Sequence, residues 1–161
     1  MVTNPTDLGC TCYRLRQAAR LVSRTYDRLL APCGINIGQF GLLVTLSGME
    51  GESITKLAGV LQMERTTLTR NLLPLQRLGY LAVERGPDKR ARALHLTEAG
   101  TAALAAAKPK WRSAQRRLER QLGKTDLGLL HAALEGTLER LVATERRSVR
   151  ANPLQGKGLN L

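Results

Sequence analysis

The chain has 161 residues, and its 25 Lys and Arg against 13 Asp and Glu give a net charge of +12. This length is sufficient to bury a core, and this charge favours a phosphate-rich partner such as nucleic acid. Aromatic residues make up only 3% of the chain, which argues against binding of single strands through stacked bases. No apolar run approaches the roughly 20 residues that span a bilayer, so we expect no membrane partner.

The first part of the chain predicts two helices. Apolar residues recur at helical spacing over residues 13–31, and the Pro32, Cys33 and Gly34 that follow end this helix. A second apolar helix contains Phe40 and its leucine neighbours and ends before the glycines at 48 and 51.

The next segment predicts a helix-turn-helix followed by a small sheet. Ser53 is a capping residue for a short helix, and a tight turn at 62–63 leads into a second helix over about 64–78. Two helices joined by so short a turn are typical of a helix-turn-helix. Residues 81–85 and 92–96 favour antiparallel strands around a loop that contains Gly86 and Pro87, which predicts a β-wing.

The last part of the chain predicts two long helices. Thr97 caps a helix that runs to about residue 122, with Pro109 inside it as the expected cause of a kink. Gly123 closes this helix, and Thr125 opens a final one with a broad apolar face. We therefore expect a mainly α fold with a small β-wing, and a frayed segment from residue 152 onward.

The second helix of the helix-turn-helix has a face suited to reading DNA. On a helical wheel its leucines at 68, 72, 75 and 78 share one side, and threonines and arginines lie opposite. Arginine binds guanine with two hydrogen bonds, and threonine offers a hydroxyl and a methyl group within a major groove that admits one helix. The residues expected on this face are Thr66, Thr69, Arg70 and Arg77. The alternative is a solvated helix face that is rich in Thr and Arg.

Other charged residues fit contacts to the DNA backbone. Arg65 and Thr67 lie at the amino end of the predicted reader helix, where the helix dipole favours phosphates. Cations around the wing are expected to follow a minor groove or the adjacent backbone, and Asp88 is expected to shape the loop by pairing with Arg90 or Arg92. These cations are Arg85, Lys89, Arg90 and Arg92. Pro74 removes one backbone donor from the reader helix and should bend it or loosen its last turns.

Five segments in this region resemble the MarR family of bacterial regulators. They are ITKLA at 54–58, RTTLTR at 65–70, LGYL at 78–81, DKR at 88–90 and LTEAG at 96–100. The resemblance implies a winged helix-turn-helix lobe at 35–97, flanked by dimerisation helices at 10–34 and 98–148, with tails at 1–9 and 152–161. It also implies a homodimer on a pseudopalindromic duplex operator, usually a repressor, which a phenolic or other small ligand or thiol oxidation releases. We expect such a protein in the bacterial cytoplasm, at the nucleoid; the first nine residues also lack the pattern of a secretory signal.

The sequence leaves several alternatives for the signal that releases such a regulator from DNA. Cys10, Cys12 and Cys33 are candidate redox sensors because Arg14 and Arg16 favour a thiolate nearby, but ordinary thiols are the alternative. A small ligand is expected to bind between the dimerisation helices and the lobe, in a site lined by four aromatic residues. The alternative is that these aromatic residues belong to the core. These residues are Tyr13, Tyr26, Phe40 and Trp111. The cysteines, His95 and His131 do not form a recognisable zinc set, and we expect no metal and no cofactor.

Two other function classes compete with a regulator. An enzyme would need a nucleophile with its base, a phosphate-binding loop or a metal motif, and the sequence contains none in recognisable form. A non-specific architectural DNA protein would bind mainly through phosphate contacts. Comparing the affinity for an operator with that for random duplex separates this last alternative from the regulator.

Overall fold

The structure is a computed structural model that describes residues 9–85 and 92–151. Its elements, in chain order, are α1 (Thr11–Leu30), a short 3-10 turn (Ala31–Cys33), α2 (Ile37–Ser47), α3 (Ile54–Val60), α4 (Arg65–Arg77), β1 (Leu81–Arg85), β2 (Arg92–Leu96), α5 (Glu98–Leu122) and α6 (Lys124–Ala151). The mainly α fold with a two-stranded wing is therefore confirmed. The predicted wing tip with Asp88, Lys89 and Arg90 lies outside the described residues, as do the segments 1–8 and 152–161.

The start of α2 is held by its own cap and by α1. Asn36 and Gln39 form a capping box, in which each side chain accepts a hydrogen bond of 2.9 Å from the backbone amide of the other. Asp27 of α1 accepts a third hydrogen bond, of 2.7 Å, from the amide of Ile37. These bonds satisfy amides at the helix start that have no partner within the helix, and they fix α2 against α1.

The helix-turn-helix forms as its capping residues and breakers predict. The hydroxyl of Ser53 accepts a hydrogen bond from the amide of Lys56 at 3.2 Å, and the turn after α3 places Gln62 at a φ of +50°. The amide of Met63 donates to the carbonyl of Ala58 across this turn at 2.9 Å. The turn therefore leads directly into α4.

Helix α4 packs through a leucine face with one difference from the wheel. Leu68, Leu72 and Leu75 are buried, whereas Leu78 is 45% exposed, because the helix ends at Arg77 and Leu78 is its C-terminal cap. The helix continues through Pro74 to this end, so its last turns stay helical, and the alternative that Pro74 bends the helix stays a prediction. Proline in this position removes a single amide donor, and the packed leucines on either side keep the backbone helical.

The wing strands pair in the register that their apolar residues favour. Leu81 lies opposite Leu96, and Val83 lies opposite Leu94. The chain leading into α3 extends this sheet, because the amide of Gly51 donates to the carbonyl of Leu94 at 3.0 Å and the amide of Leu94 donates to the carbonyl of Glu52 at 3.1 Å. The wing is thus bonded to the segment that begins the helix-turn-helix.

The end of α4 and the start of α5 meet at a close backbone contact. The Thr97 hydroxyl donates to the carbonyl of Gly79 at 2.7 Å and accepts from the amide of Gly100 at 3.0 Å, which confirms Thr97 as the cap of α5. A Cβ atom on Gly100 would lie 2.1 Å from the carbonyl oxygen of Tyr80. Two of the segments that resemble the MarR family therefore pack against each other, and their glycines allow the contact.

This contact gives a stability prediction. We expect Gly100→Ala to destabilise the protein by about 2 kcal/mol or more, because backbone atoms must move apart to admit a methyl group. For a chain of this size the melting temperature should fall by roughly 5 °C or more. Gly59→Ala is the control, since no atom lies within 4 Å of an added Cβ there. Equal melting temperatures for the two variants would contradict the packing described.

The chain divides into two compact units, Met1–Arg116 and Arg117–Leu161. In the first unit, Leu104, Ala107 and Ala114 of α5 are buried, and Trp111 stacks on Phe40 of α2 with ring centroids 5.9 Å apart. The second unit consists of the end of α5 and helix α6, which are joined through Gly123 at a φ of +85°. Most of the apolar face predicted for α6 is uncovered. Its exposed leucines are Leu129, Leu130, Leu134, Leu138 and Leu141.

No single helix within residues 9–85 and 92–151 is long and apolar enough to cross a membrane. The segments Thr11–Cys33 and Ile37–Ser47 meet the criteria of length and composition only when counted together, and they are bent by 73° relative to each other.

Candidate nucleic-acid interface

Helix α4 has a buried apolar face and an exposed polar face. Leu68 and Leu75 have no exposed surface, and Leu72 is 2% exposed. The residues predicted to read DNA are all exposed: Thr66, Thr69, Arg70 and Arg77. This arrangement fixes the helix on the lobe by its leucines and leaves the Thr and Arg side chains accessible to a partner.

The hydroxyl of Thr69 is already in use. It donates a hydrogen bond of 2.8 Å to the carbonyl of Arg65, one turn earlier in the same helix. The residue can still accept a hydrogen bond and present its methyl group. Thr69 therefore suits contact with a thymine methyl or a base donor, rather than donation to a phosphate.

The amino end of α4 has no side-chain cap. Glu64 occupies the cap position in an extended conformation and makes no capping hydrogen bond, as its sequence predicts. The amides of the first turn, which includes exposed Arg65 and half-buried Thr67, then have no partner within the helix. Such amides and the positive end of the helix dipole favour an anionic group such as a phosphate.

A cavity of about 410 Å³ lies between α4 and the first turns of α2. Arg70, Asn71 and Pro74 form its α4 wall, and Leu61 and Met63 line it from the turn before α4. Asn71 was not among the predicted contact residues, although it is exposed beside Arg70. Its amide has both donors and acceptors, but on the wheel it lies about 100° from Arg70, on the side of the leucines, so the sequence offers no signal for it.

The aromatic residues predicted to line an effector site lie elsewhere in the first unit. Phe40 and Tyr26 are buried, and the Tyr26 hydroxyl donates to the side-chain carbonyl of Gln115. Burial raises the pKa of Tyr26 above its usual value of 10.0. Trp111 and Tyr13 are half-buried. None of the four lines the cavity beside α4.

The cysteines lie at two places. Cys10 and Cys12 are exposed at the start of α1, and Cys33 is half-buried with its sulfur 3.9 Å from the carbonyl of Ala106. Among residues 9–85 and 92–151, no three His, Cys, Asp or Glu side chains come together as metal ligands would. His95 lies on the wing with its Nε2 3.9 Å from a carboxylate oxygen of Glu84, and His131 is exposed on α6.

The wing brings two predicted cationic positions together. Arg85 ends β1 and Arg92 begins β2, and the two are partners in the strand register. Lys89, Arg90 and Asp88 belong to the loop outside the described residues, so their roles stay predictions. Arg85 and Arg92 therefore lie at the end of the sheet farthest from its junction with α4 and α5.

Helices α2, α3 and α4 with the two-stranded sheet form a winged helix-turn-helix. No protein-family model matches the sequence. The chain is 38% identical to the M. tuberculosis transcriptional regulator MosR, solved in complex with DNA; the match covers 80% of this chain and 98% of MosR, with a TM-score of 0.66. It is 27% identical to the transcriptional repressor CouR, solved on a 23-mer DNA duplex, over 86% of this chain and 99% of CouR, with a TM-score of 0.74.

A curated relative agrees over a shorter region. The chain is 27% identical over 86 residues to YwoH of Bacillus subtilis, an uncharacterized HTH-type transcriptional regulator. This match covers 53% of the chain and 63% of YwoH, less than two thirds of that protein.

The chain belongs to the MarR family of winged helix-turn-helix transcription regulators, as the five segments indicated. It is accordingly a regulator rather than an enzyme.

Proposed function

We propose that this regulator binds duplex DNA sequence-specifically, with α4 in the major groove. The observation that carries the proposal is the two-faced α4, which buries three leucines and exposes Thr66, Thr69, Arg70 and Arg77. Arg70 and Arg77 are suited to bidentate contacts with guanine, and the threonines to thymine methyls or base edges. The DNA complex of MosR, at 38% identity, supports the same partner.

In this proposal, contacts with the DNA backbone fix the position of α4 along the major groove. Arg65 and Thr67 bind phosphates at the uncapped amino end of the helix. The wing adds Arg85 and Arg92 from the strand ends, which enter a minor groove or follow its backbone. Lys89 and Arg90 extend these contacts from the loop, and Asp88 shapes the loop by pairing with Arg90 or Arg92.

The proposed form is a homodimer built from the helices at 10–34 and 98–148. The uncovered leucines of α6 support it, because contiguous exposed apolar surface is typical of an interaction site. Two-fold symmetry presents two α4 helices to half-sites about one helical turn apart. The operator is then a pseudopalindrome, and the winged lobe at 35–97 reads each half.

The proposed regulation is repression that a signal releases. CouR is described as a repressor, and it has also been solved with p-coumaroyl-CoA. The stacked Phe40 and Trp111 join the lobe to α5, so a small phenolic effector near them, Tyr26 and Tyr13 would favour one setting of the lobe. Oxidation at exposed Cys10 and Cys12, or at Cys33, is the alternative signal; operator affinity that mild peroxide leaves unchanged would reject it.

A competition assay tests the proposed function. Genomic footprinting of the bound sites supplies the operator, and purified protein is then offered operator and random duplex at the same salt concentration. We expect the operator to bind at least about 1,000-fold more tightly, as specific regulators do. A ratio near one would instead favour the architectural alternative, whose affinity rests on phosphate contacts alone.

A further inference from the structure

Most of the positive charge of the chain lies outside the proposed DNA-reading lobe. Residues 35–97 carry eight Lys or Arg and five acidic side chains, a net charge of +3. Helix α1 carries five Arg and one Asp, and α5 carries six Lys or Arg and two Glu, a net charge of +4 each. Two thirds of the net charge of +12 therefore belong to these two helices, which the reading of DNA by α4 and the wing does not explain.

These cations are arranged in two regular rows, which we call the basic stripes. The stripe on α1 contains Arg16, Arg20, Arg24 and Arg28, and the stripe on α5 contains Lys108, Arg112 and Arg116; all seven are exposed. Residues four apart lie on the same side of a helix and about 6 Å apart along its axis. Each stripe thus presents like charges at regular intervals on one helix face.

The two striped helices are neighbours in the first unit. Tyr26 of α1 donates a hydrogen bond to Gln115 of α5, next to Arg116. The sulfur of Cys33, just after α1, lies 3.9 Å from the carbonyl of Ala106 on α5, close to Lys108. The apolar face of α5 at Leu104, Ala107 and Ala114 is buried, and in the single chain both stripes lie on exposed sides of their helices.

The stripes lack acidic partners in the described part of the chain. None of the seven cations forms a salt bridge with another residue there. Asp27 is the acidic group beside the α1 stripe, in a shallow depression with Arg20 and Arg24, and its carboxylate accepts the amide of Ile37. Like charges four residues apart destabilise a helix, and a bound polyanion removes this repulsion.

We propose that the basic stripes of α1 and α5 are a second, sequence-independent surface for the phosphate backbone of duplex DNA. The proposal rests on the proposed function, because it takes duplex DNA as the partner of the chain. Duplex DNA carries one negative charge per about 1.7 Å of its axis, which provides phosphates for a row of cations at 6 Å intervals. Arginine, which makes up six of the seven positions, binds phosphate with two hydrogen bonds from its planar group.

The test measures binding to random duplex as a function of salt. Two triple variants are measured, one for each stripe. Each removes three charges and introduces glutamine, which preserves helix propensity. The α1 variant is Arg20→Gln, Arg24→Gln, Arg28→Gln, and the α5 variant is Lys108→Gln, Arg112→Gln, Arg116→Gln. We expect each to bind random duplex about tenfold more weakly at low salt. The slope of log affinity against log salt should fall by about 0.9 for each phosphate that the variant no longer neutralises.

The control removes the same charge from another helix. Arg140→Gln, Arg146→Gln, Arg147→Gln changes three exposed arginines on α6, two of which follow a glutamate directly in sequence. We expect its salt slope to match that of the unmodified protein. If both stripe variants kept the salt slope of this control, the proposal would be wrong.

Two further measurements identify what failed. The stripe variants should raise the ratio of operator to random affinity, because they weaken only the sequence-independent part. If the unmodified protein binds the operator no better than random duplex, the proposed function is overturned. The salt slopes of the stripe variants on random duplex still test the proposal about the basic stripes in that case. Binding to anionic phosphatidylserine vesicles that disappears in the stripe variants, with unchanged DNA slopes, would assign the stripes to a membrane surface and overturn the proposal.

Discussion

Replacing two leucines of α6 should abolish dimerisation and thereby weaken operator binding. In the variant Leu138→Asp, Leu141→Asp we expect a monomer and a decrease of operator affinity of at least about 100-fold, because the two lobes no longer bind as a linked pair. The two side chains are 57% and 59% exposed in the single chain. Carboxylates on this face would oppose its burial against a second copy, since a buried unpaired charge is costly. Sedimentation equilibrium and operator titration measure the two effects.

The matched control for this variant is Val60→Asp. Val60 is 57% exposed on α3, which is not one of the proposed dimer helices. It should leave the sedimentation mass at that of the unmodified dimer. A dimer that survives in the α6 variant would show that the exposed leucines serve another purpose, and the proposed symmetry of the operator would lose its basis.

Replacing Arg70 should remove a base contact and therefore specificity. We expect Arg70→Ala to weaken operator binding by about 1–3 kcal/mol, roughly 5-fold to 150-fold, because one bidentate pair discriminates between bases by this amount. Binding to random duplex should change much less. Competition between the two duplexes at one salt concentration gives both numbers in a single assay.

Arg65→Ala is the comparison within the same helix. Arg65 is exposed at the amino end of α4, where a phosphate contact is proposed. This substitution should weaken binding to both duplexes alike and lower the salt slope by about one unit. If Arg70→Ala and Arg65→Ala weakened binding to both duplexes equally, the division of α4 into base-reading and phosphate-binding positions would be wrong.

Local signals predicted most of the fold. Both strands begin and end at the predicted residues, because their alternating apolar side chains and the turn residues between them leave little choice of register. Ser53 and Thr97 cap α3 and α5 as expected. Caps and turns depend on residues within a few positions of each other, so a sequence pattern is sufficient to place them.

The errors and omissions all involve contacts between elements that are distant in the sequence. The wheel placed Leu78 on the side of the buried leucines, but whether a residue at the helix end reaches the core depends on its neighbours. Pro74 was expected to bend α4 or loosen its last turns, and packing on either side keeps these turns helical. The bond from Ile37 to Asp27 and the approach of Gly100 to Tyr80 join separate elements, and no local pattern reports them.

For the candidate site, too, local sequence patterns predicted some features and the structure was needed for others. Composition and the wheel identified the exposed Thr and Arg face of α4, because side chains four apart share a face in any helix. The sequence also gives the net charge of +12 and its distribution along the chain. Only the structure shows that the cations of the basic stripes of α1 and α5 are exposed and form no salt bridge within the described residues.

The sequence by itself determined the order of the helices, the wing, the exposed Thr and Arg face of α4 and the resemblance to the MarR family. These features follow from periodicity, caps and turns, which act over one or two turns of the chain. The tertiary structure decided that the Thr69 hydroxyl is bonded within its own helix, that Phe40 and Trp111 join the lobe to α5, and that the leucines of α6 are uncovered. The last two depend on which surfaces meet in space, and burial on folding, rather than local propensity, determines that.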